Sequence, residues 1–176
     1  MDYIFKSERL GFRPWQQSDY PILYKLCSDP KVMEYFPSLL DNVQSQQFLD
    51  RLIAHQQKHG FCYFHVEILE TGESIGFIGL AYQDFESEFT PCIDVGWRLL
   101  PWAWGKGYAT EGAKASLNWG IENFGLEEIM SFAPQVNKAS IAVMEKIGME
   151  LAGTFKHPKL GDFPELENCV AYRIKT

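Results

Sequence analysis

Cys92-Ile93-Asp94-Val95-Gly96-Trp97-Arg98-Leu99-Leu100-Pro101-Trp102-Ala103-Trp104-Gly105-Lys106-Gly107-Tyr108-Ala109-Thr110-Glu111 is the stretch on which the reading of this chain turns. Its first half has the β-branched and aromatic character of a strand. Its second half passes through a short loop and two glycines into a helix. A strand feeding a glycine-rich helix start aims several backbone N–H groups at one spot, where the helix dipole adds partial positive charge. A pyrophosphate can be held there with few basic side chains. Gly105 and Gly107 let the backbone approach it closely, because neither carries a Cβ. Two familiar phosphate loops fit poorly. The nucleotide-triphosphate loop needs Ser or Thr after Gly-Lys, and Gly107 stands there. The dinucleotide fingerprint needs a third glycine where this chain has Thr110. Glycines before a helix also serve plain close packing, so the loop alone does not decide the matter.

Working outward, strand-like and helix-like segments alternate along all 176 residues, with no internal repeat or long linker. Residues 7–13 read as a first strand. Ser18, Asp19 and Pro21 open a helix with Ile22, Leu23 and Leu26 as its stripe, and Asp41 caps a second helix that Gly60 ends. Phe61–Leu69 and Ile75–Leu80 form a hairpin around Glu70-Thr71-Gly72-Glu73, and Thr90–Leu100 is the next strand. A helix over Tyr108–Phe124, a strand over Ile129–Ala133 and a helix from Asn137 to Gly148 follow. Strands near Leu151–Phe155 and Glu167–Ile174 close the chain. This order predicts a single α/β (α+β) domain over residues 1–176. Its sheet is expected to be twisted, mixed and mainly antiparallel, with six or seven strands flanked by about four helices.

Composition is that of an ordinary globular chain, with 46% hydrophobic and 22% charged residues. The N-terminal stretch Met1-Asp2-Tyr3-Ile4-Phe5-Lys6 lacks the features of a secretory leader, and no segment has the apolar length of a membrane span, so a cytoplasmic protein is expected. A net charge of −7 argues against nucleic acid as partner and suits a cationic one. Cys27, Cys62, Cys92 and Cys169 form no Cys-x-x-Cys pair, and three of them lie in strand-like runs where a buried reduced thiol is expected. His55 and His59 are spaced i, i+4 but lack the Glu of a metalloprotease helix, so no metal is expected.

Trp104-Gly105-Lys106-Gly107-Tyr108-Ala109-Thr110-Glu111 resembles the coenzyme A loop of the GNAT superfamily of N-acetyltransferases, most closely its RimJ/RimL-like branch of ribosomal-protein N-terminal acetyltransferases. Ser7–Arg13 is similar to that branch's opening strand, and Asp29-Pro30-Lys31-Val32-Met33 to the end of its first helical region. Asn137-Lys138-Ala139-Ser140, running on to Glu145–Met149, is similar to its second coenzyme-side helix, and Phe155–Pro158 with Tyr172-Arg173 to its last strands. The general superfamily pattern has Gln or Arg where this chain has Trp102. The phosphate contacts come largely from main-chain amides, so the departure is expected to be tolerated.

The resemblance implies an acetyl-CoA-dependent N-acetyltransferase without a metal, acting on a primary amine: a protein N-terminus or a small molecule. It implies that strands Thr90–Leu100 and Ile129–Ala133 lie parallel and splay to admit the pantetheine arm. It also implies coenzyme contacts from Trp97, Leu99, Trp104, Gly105, Lys106, Gly107, Tyr108, Ala109, Thr110, Asn137 and Ser140. Amine acetylation needs a group to take the amine's proton, a polarised thioester carbonyl and a way to protonate the thiolate. Asp94, which shares one strand face with Gly96 and Arg98, is the first candidate base, and the branch commonly has an acidic residue there. A structural carboxylate paired with Arg98 or a loop amide is the plainer reading. Ser140 is the candidate acid or a pantetheine contact, because Met144 stands where many superfamily members have a tyrosine; capping the helix with Asn137 is its plainer role. His157 is the rival base, with a free pKa of about 6.5. Some of Tyr35, Phe36, Trp97, Trp102 and Trp104 are candidates to wall an acceptor pocket, and most are expected in the core. A monomer or homodimer is expected. A non-catalytic acyl-CoA sensor and a transferase of another acyl group, such as succinyl, are the competing functions.

Overall fold

The structure, a computed structural model, describes residues 2–176. Met1, the first residue of the stretch read for a leader, lies outside the described residues. The chain begins with a hairpin, β1 (Phe5–Lys6) and β2 (Leu10–Arg13), where the sequence suggested one strand over 7–13. The Ser7 amide donates to the Leu10 carbonyl and the Ser7 hydroxyl accepts from the Leu10 amide, closing a turn inside that span. Helices α1 (Tyr20–Ser28) and α2 (Asn42–His59) follow, then β3 (Tyr63–Ile68), β4 (Ser74–Gln83), β5 (Cys92–Leu99), α3 (Tyr108–Phe124), β6 (Glu128–Pro134), α4 (Lys138–Lys146), β7 (Glu150–Lys156) and β8 (Asn168–Lys175).

Local chemistry fixes the helix ends. The Asp41 carboxylate accepts from the Gln44 amide at 2.8 Å, and the Gln44 side chain accepts from the Asp41 amide at 3.0 Å. This reciprocal cap satisfies two otherwise unpaired donors of α2 and is worth about 1 kcal/mol. The Asn137 side chain accepts from the Ser140 amide at 3.1 Å and starts α4. Helix α1 turns Leu23, Leu26 and Cys27 fully inward, each large apolar side chain contributing about 1.5–3 kcal/mol on burial.

The eight strands form one sheet in the order β1-β2-β3-β4-β5-β6-β8-β7, one strand more than expected because of the N-terminal hairpin. All neighbours are antiparallel except β5 and β6. The register assigns the faces. Ile78 and Leu80 of β4 lie beneath Gly112 and Gly120 of α3, which have no room for a Cβ. Phe77 of β4 lies on the opposite face, edge-on to Phe48 of α2 at 5.9 Å. Because Phe77, Gly79 and Ala81 pair with Arg98, Gly96 and Asp94, those three residues of β5 face α1 and α2, as the alternation predicts. Val95, Trp97 and Leu99 take the α3 face. One contiguous core, from Leu10 through Tyr172, joins both layers. No helix among the described residues is long and apolar enough to cross a membrane.

Candidate active site

Strands β5 and β6 run parallel but share a single pairing, Asp94 with Met130. The Ser131 hydroxyl donates to the Val95 carbonyl at 2.9 Å, and beyond that bond the strands part. The gap leaves the edge of β5 from Gly96 onward without a strand partner on that side. It opens a cleft of about 990 Å³ that runs from Asp94 to the start of α3.

At the α3 end, Gly105 and Gly107 have φ of +72° and +82°, a left-handed conformation that other residues adopt only under strain. Gly107 is the N-cap of α3 and offers no side chain to the first turn. The opening N–H groups of the helix therefore have no side-chain cap and lie along the cleft, where helix polarity favours an anion. A brace from the N-terminal hairpin holds this turn. Glu111 accepts from the Ser7 hydroxyl at 2.7 Å, the Arg9 amide at 2.7 Å and the Arg9 guanidinium at 2.6 Å, and Arg9 also donates to the Lys106 carbonyl. The Trp104 indole donates to the Leu99 carbonyl at 2.8 Å and folds the loop back on β5.

At the other end lies Asp94, buried at 7% exposure. Its partner is not Arg98. The Tyr63 hydroxyl stands 2.7 and 2.9 Å from its two oxygens, and the Gln83 side-chain amide donates to Tyr63 at 3.0 Å and to Asp94 at 3.2 Å. Tyr63 reaches across because Gly96 lies beneath it; a Cβ there would fall 2.9 Å from the ring. Burial raises the Asp94 pKa to about 7, although the bonds from Tyr63 and Gln83 pull the other way. A carboxyl group poised there takes up and releases protons at neutral pH.

The cleft gathers Asp94, Trp97, Leu99, Trp104, Gly105, Gly107, Tyr108, Ala109, Thr110, Asn137 and Ser140 along its walls. Two expected residues stand apart. Lys106 lies off the cleft wall, with its ammonium 5.3 Å from the Trp102 ring and its carbonyl accepting from Arg9. His157 packs 4.5 Å from Phe85, accepts from the Lys159 amide through Nδ1, and lies off the cleft wall. Burial lowers its pKa. The Ser140 amide is taken by Asn137, and no hydrogen bond engages the Ser140 hydroxyl among the described residues. The His55–His59 pair serves the packing of α2 on β4, since His55 Nε2 accepts from the Tyr82 amide and His59 stacks on the Tyr82 ring.

Residues 9–150 match the sequence model of the acetyltransferase (GNAT) domain. The chain belongs to the GNAT acetyltransferase family. This acetyltransferase is 30% identical to the uncharacterized protein YkkB of Bacillus subtilis, over 85% of this chain and 87% of that one. The acetyltransferase of Agrobacterium tumefaciens superimposes with a TM-score of 0.80 at 26% identity, covering 98% of this chain and 94% of that chain. RimL, a ribosomal L7/L12 α-N-protein acetyltransferase solved with coenzyme A, shares the fold with a TM-score of 0.77 at 17% identity, over 99% and 98% of the two chains.

Tyr63 and Gln83, which complete the Asp94 site of this acetyltransferase, were not legible in the sequence. Each stands on a different strand, and only the β3–β4–β5 register brings them to Asp94. The signal that could have found Tyr63 is the glycine pair Gly79 and Gly96, directly across from it in the sheet.

Proposed function

We propose that this protein moves an acetyl group from acetyl-CoA to a primary amine by direct attack of the amine on the thioester, with Asp94 taking the proton. The observation that carries this reading is a buried carboxyl group poised near neutrality, at the point where β5 and β6 part, in the same cleft as the uncapped start of α3. The residues present suit acetyl-CoA. The first-turn amides of α3 receive the pyrophosphate, and the open edge of β5 offers backbone partners to the amide groups of the pantetheine arm. The thioester then lies near Val95 and Gly96, within reach of Asp94.

The amine arrives from the α1/α2 face, which Asp94 shares. Asp94 accepts its proton directly or through a water, and the freed nitrogen forms a bond to the thioester carbon. The tetrahedral intermediate collapses with cleavage of the carbon–sulfur bond. The thiolate leaves with a proton, for which the unengaged Ser140 hydroxyl on α4, in the cleft wall, is the candidate donor. A thiolate is a tolerable leaving group, so Ser140 contributes less than Asp94. A protein N-terminus and a small-molecule amine both fit this chemistry.

Thiol release from acetyl-CoA, measured against pooled amine classes, tests the reading. Asp94→Asn is expected to lower turnover by about 100- to 10,000-fold with little change in acetyl-CoA affinity, and His157→Ala to do far less. Tight acetyl-CoA binding without turnover on any amine would instead make the protein an acyl-CoA sensor. Faster turnover with succinyl-CoA would reassign the acyl group.

A further inference from the structure

The α1/α2 face carries a second hollow, of about 220 Å³, beside the main cleft. Phe36, Phe48 and Arg98 wall both, so Arg98 stands at the junction. Arg51 and Ser38 also line the hollow, and none of its lining residues is acidic. The chain has 23 acidic residues against 16 basic ones, so two arginines facing one space without a carboxylate call for a physical reason. Among the described residues neither takes part in an ion pair.

Arg98 is the more telling of the two. Its guanidinium carbon lies 3.9 Å from the centre of the Phe36 ring, 5.3 Å from Phe77 and 5.6 Å from Phe48. One weak bond, from Nη1 to the Cys27 sulfur at 3.6 Å, is its only hydrogen bond among the described residues, and its Nε is buried with no partner. Burial lowers its pKa, yet an arginine side chain stays charged in a protein. The fold thus holds a desolvated cation whose aromatic neighbours offset part of the cost but supply no acceptor for its N–H groups. A guanidinium fork of this kind pairs with a carboxylate or a phosphate.

We propose that Arg98, with Arg51 at the rim, binds an anionic group of the acceptor, so that the substrate is a primary amine carrying a carboxylate or phosphate at its far end. This rests on the transferase reading above, which sets the amine at Asp94. Asp94 and Arg98 are four residues apart on one strand face, with Cα atoms roughly 13 Å apart. The amine and the anion are therefore separated by several bonds. Tyr63 and Phe77, stacked at 5.5 Å on the same face, provide an apolar surface for the chain between them.

The test uses the full-length protein and three series of acceptors of increasing chain length: ω-amino acids, the matching n-alkylamines and the matching ω-aminoalkyl phosphates. At one chain length, kcat/KM for an anionic amine should exceed that of the alkylamine by about 10- to 100-fold, and the carboxylate and phosphate series identify which anion is preferred. Arg98→Met should erase the preference through KM. Arg51→Gln, a change at an exposed residue, should reduce it partway and covers the case in which Arg98→Met does not fold. Calorimetry with hexanoate and hexyl phosphate, which lack an amine, reads the anion site without turnover. Binding by wild type that weakens in Arg51→Gln is expected. If no amine is acetylated, the transferase reading fails while the calorimetry still decides the anion site. Equal kcat/KM for the anionic and neutral series, no binding of either anion, or an Arg98→Met protein that changes its selection between succinyl-CoA and acetyl-CoA would each overturn the proposal.

Discussion

Asp94 shows how one side chain takes its chemistry from its surroundings. In water an aspartate is ionised far below neutrality, at a pKa of about 3.9. Here burial lifts the value to about 7, and the Tyr63 and Gln83 bonds stop it rising further. The free enzyme's kcat/KM should therefore fall on the acid side with an apparent pKa near 7. Tyr63→Phe removes a bond that favours the carboxylate, so this acid limb should move to higher pH. The pH profile of kcat/KM, measured for wild type and variant, checks it; a limb that stays in place or moves down would show that Tyr63 does not tune Asp94. Alternation assigned Asp94 its strand face, and the family resemblance made it the candidate base. It left open whether Arg98 was the partner, and the structure places Arg98 among phenylalanines instead.

At the scale of the element, the loop before α3 is a backbone device. Two left-handed glycines turn the chain, and the Ser7-Arg9-Glu111 brace fixes the first helical turn. Gly107→Val forces a β-branched residue to a φ of +82°, so the loop must rebuild and the first-turn amides lose their aim. Acetyl-CoA at 100 times its dissociation constant should stabilise the wild type by about 2.7 kcal/mol, seen as a higher Tm. The variant should show no such rise, and a wild-type rise in Gly107→Val would remove the loop from the coenzyme site. Helix α3 itself was legible to its bounds, because its stripe and opening glycines are local. The hairpin β1–β2 was not, because its turn at Ser7 is set by a hydroxyl that also bonds Glu111, over a hundred residues away.

At the scale of the whole molecule, the buried Asp94 makes stability depend on pH in a direction opposite to that of a salt-bridged carboxylate. Its folded pKa is raised, so its contribution is full below about pH 4 and is lost as pH rises through 7. Asp94→Asn abolishes that loss. Between pH 5 and pH 8 the variant should gain roughly 2–3 kcal/mol relative to wild type, read from urea unfolding at the two pH values. The buried His65, whose pKa is lowered to about 4 by burial, contributes to both proteins and cancels in the comparison. A constant difference across this range would mean that Asp94 is ionised throughout.

By itself, the sequence determined the kind of elements, most of their order along the chain, the glycine turn that opens α3 and the family. Each of these is written in local patterns: period, caps, glycines and a contiguous motif. Only the tertiary structure decided which side chains share a site. Tyr63 with Asp94, Arg9 with Glu111 and Arg98 with Phe36 join residues that the chain keeps far apart, and strand register and helix docking alone bring them within bonding distance.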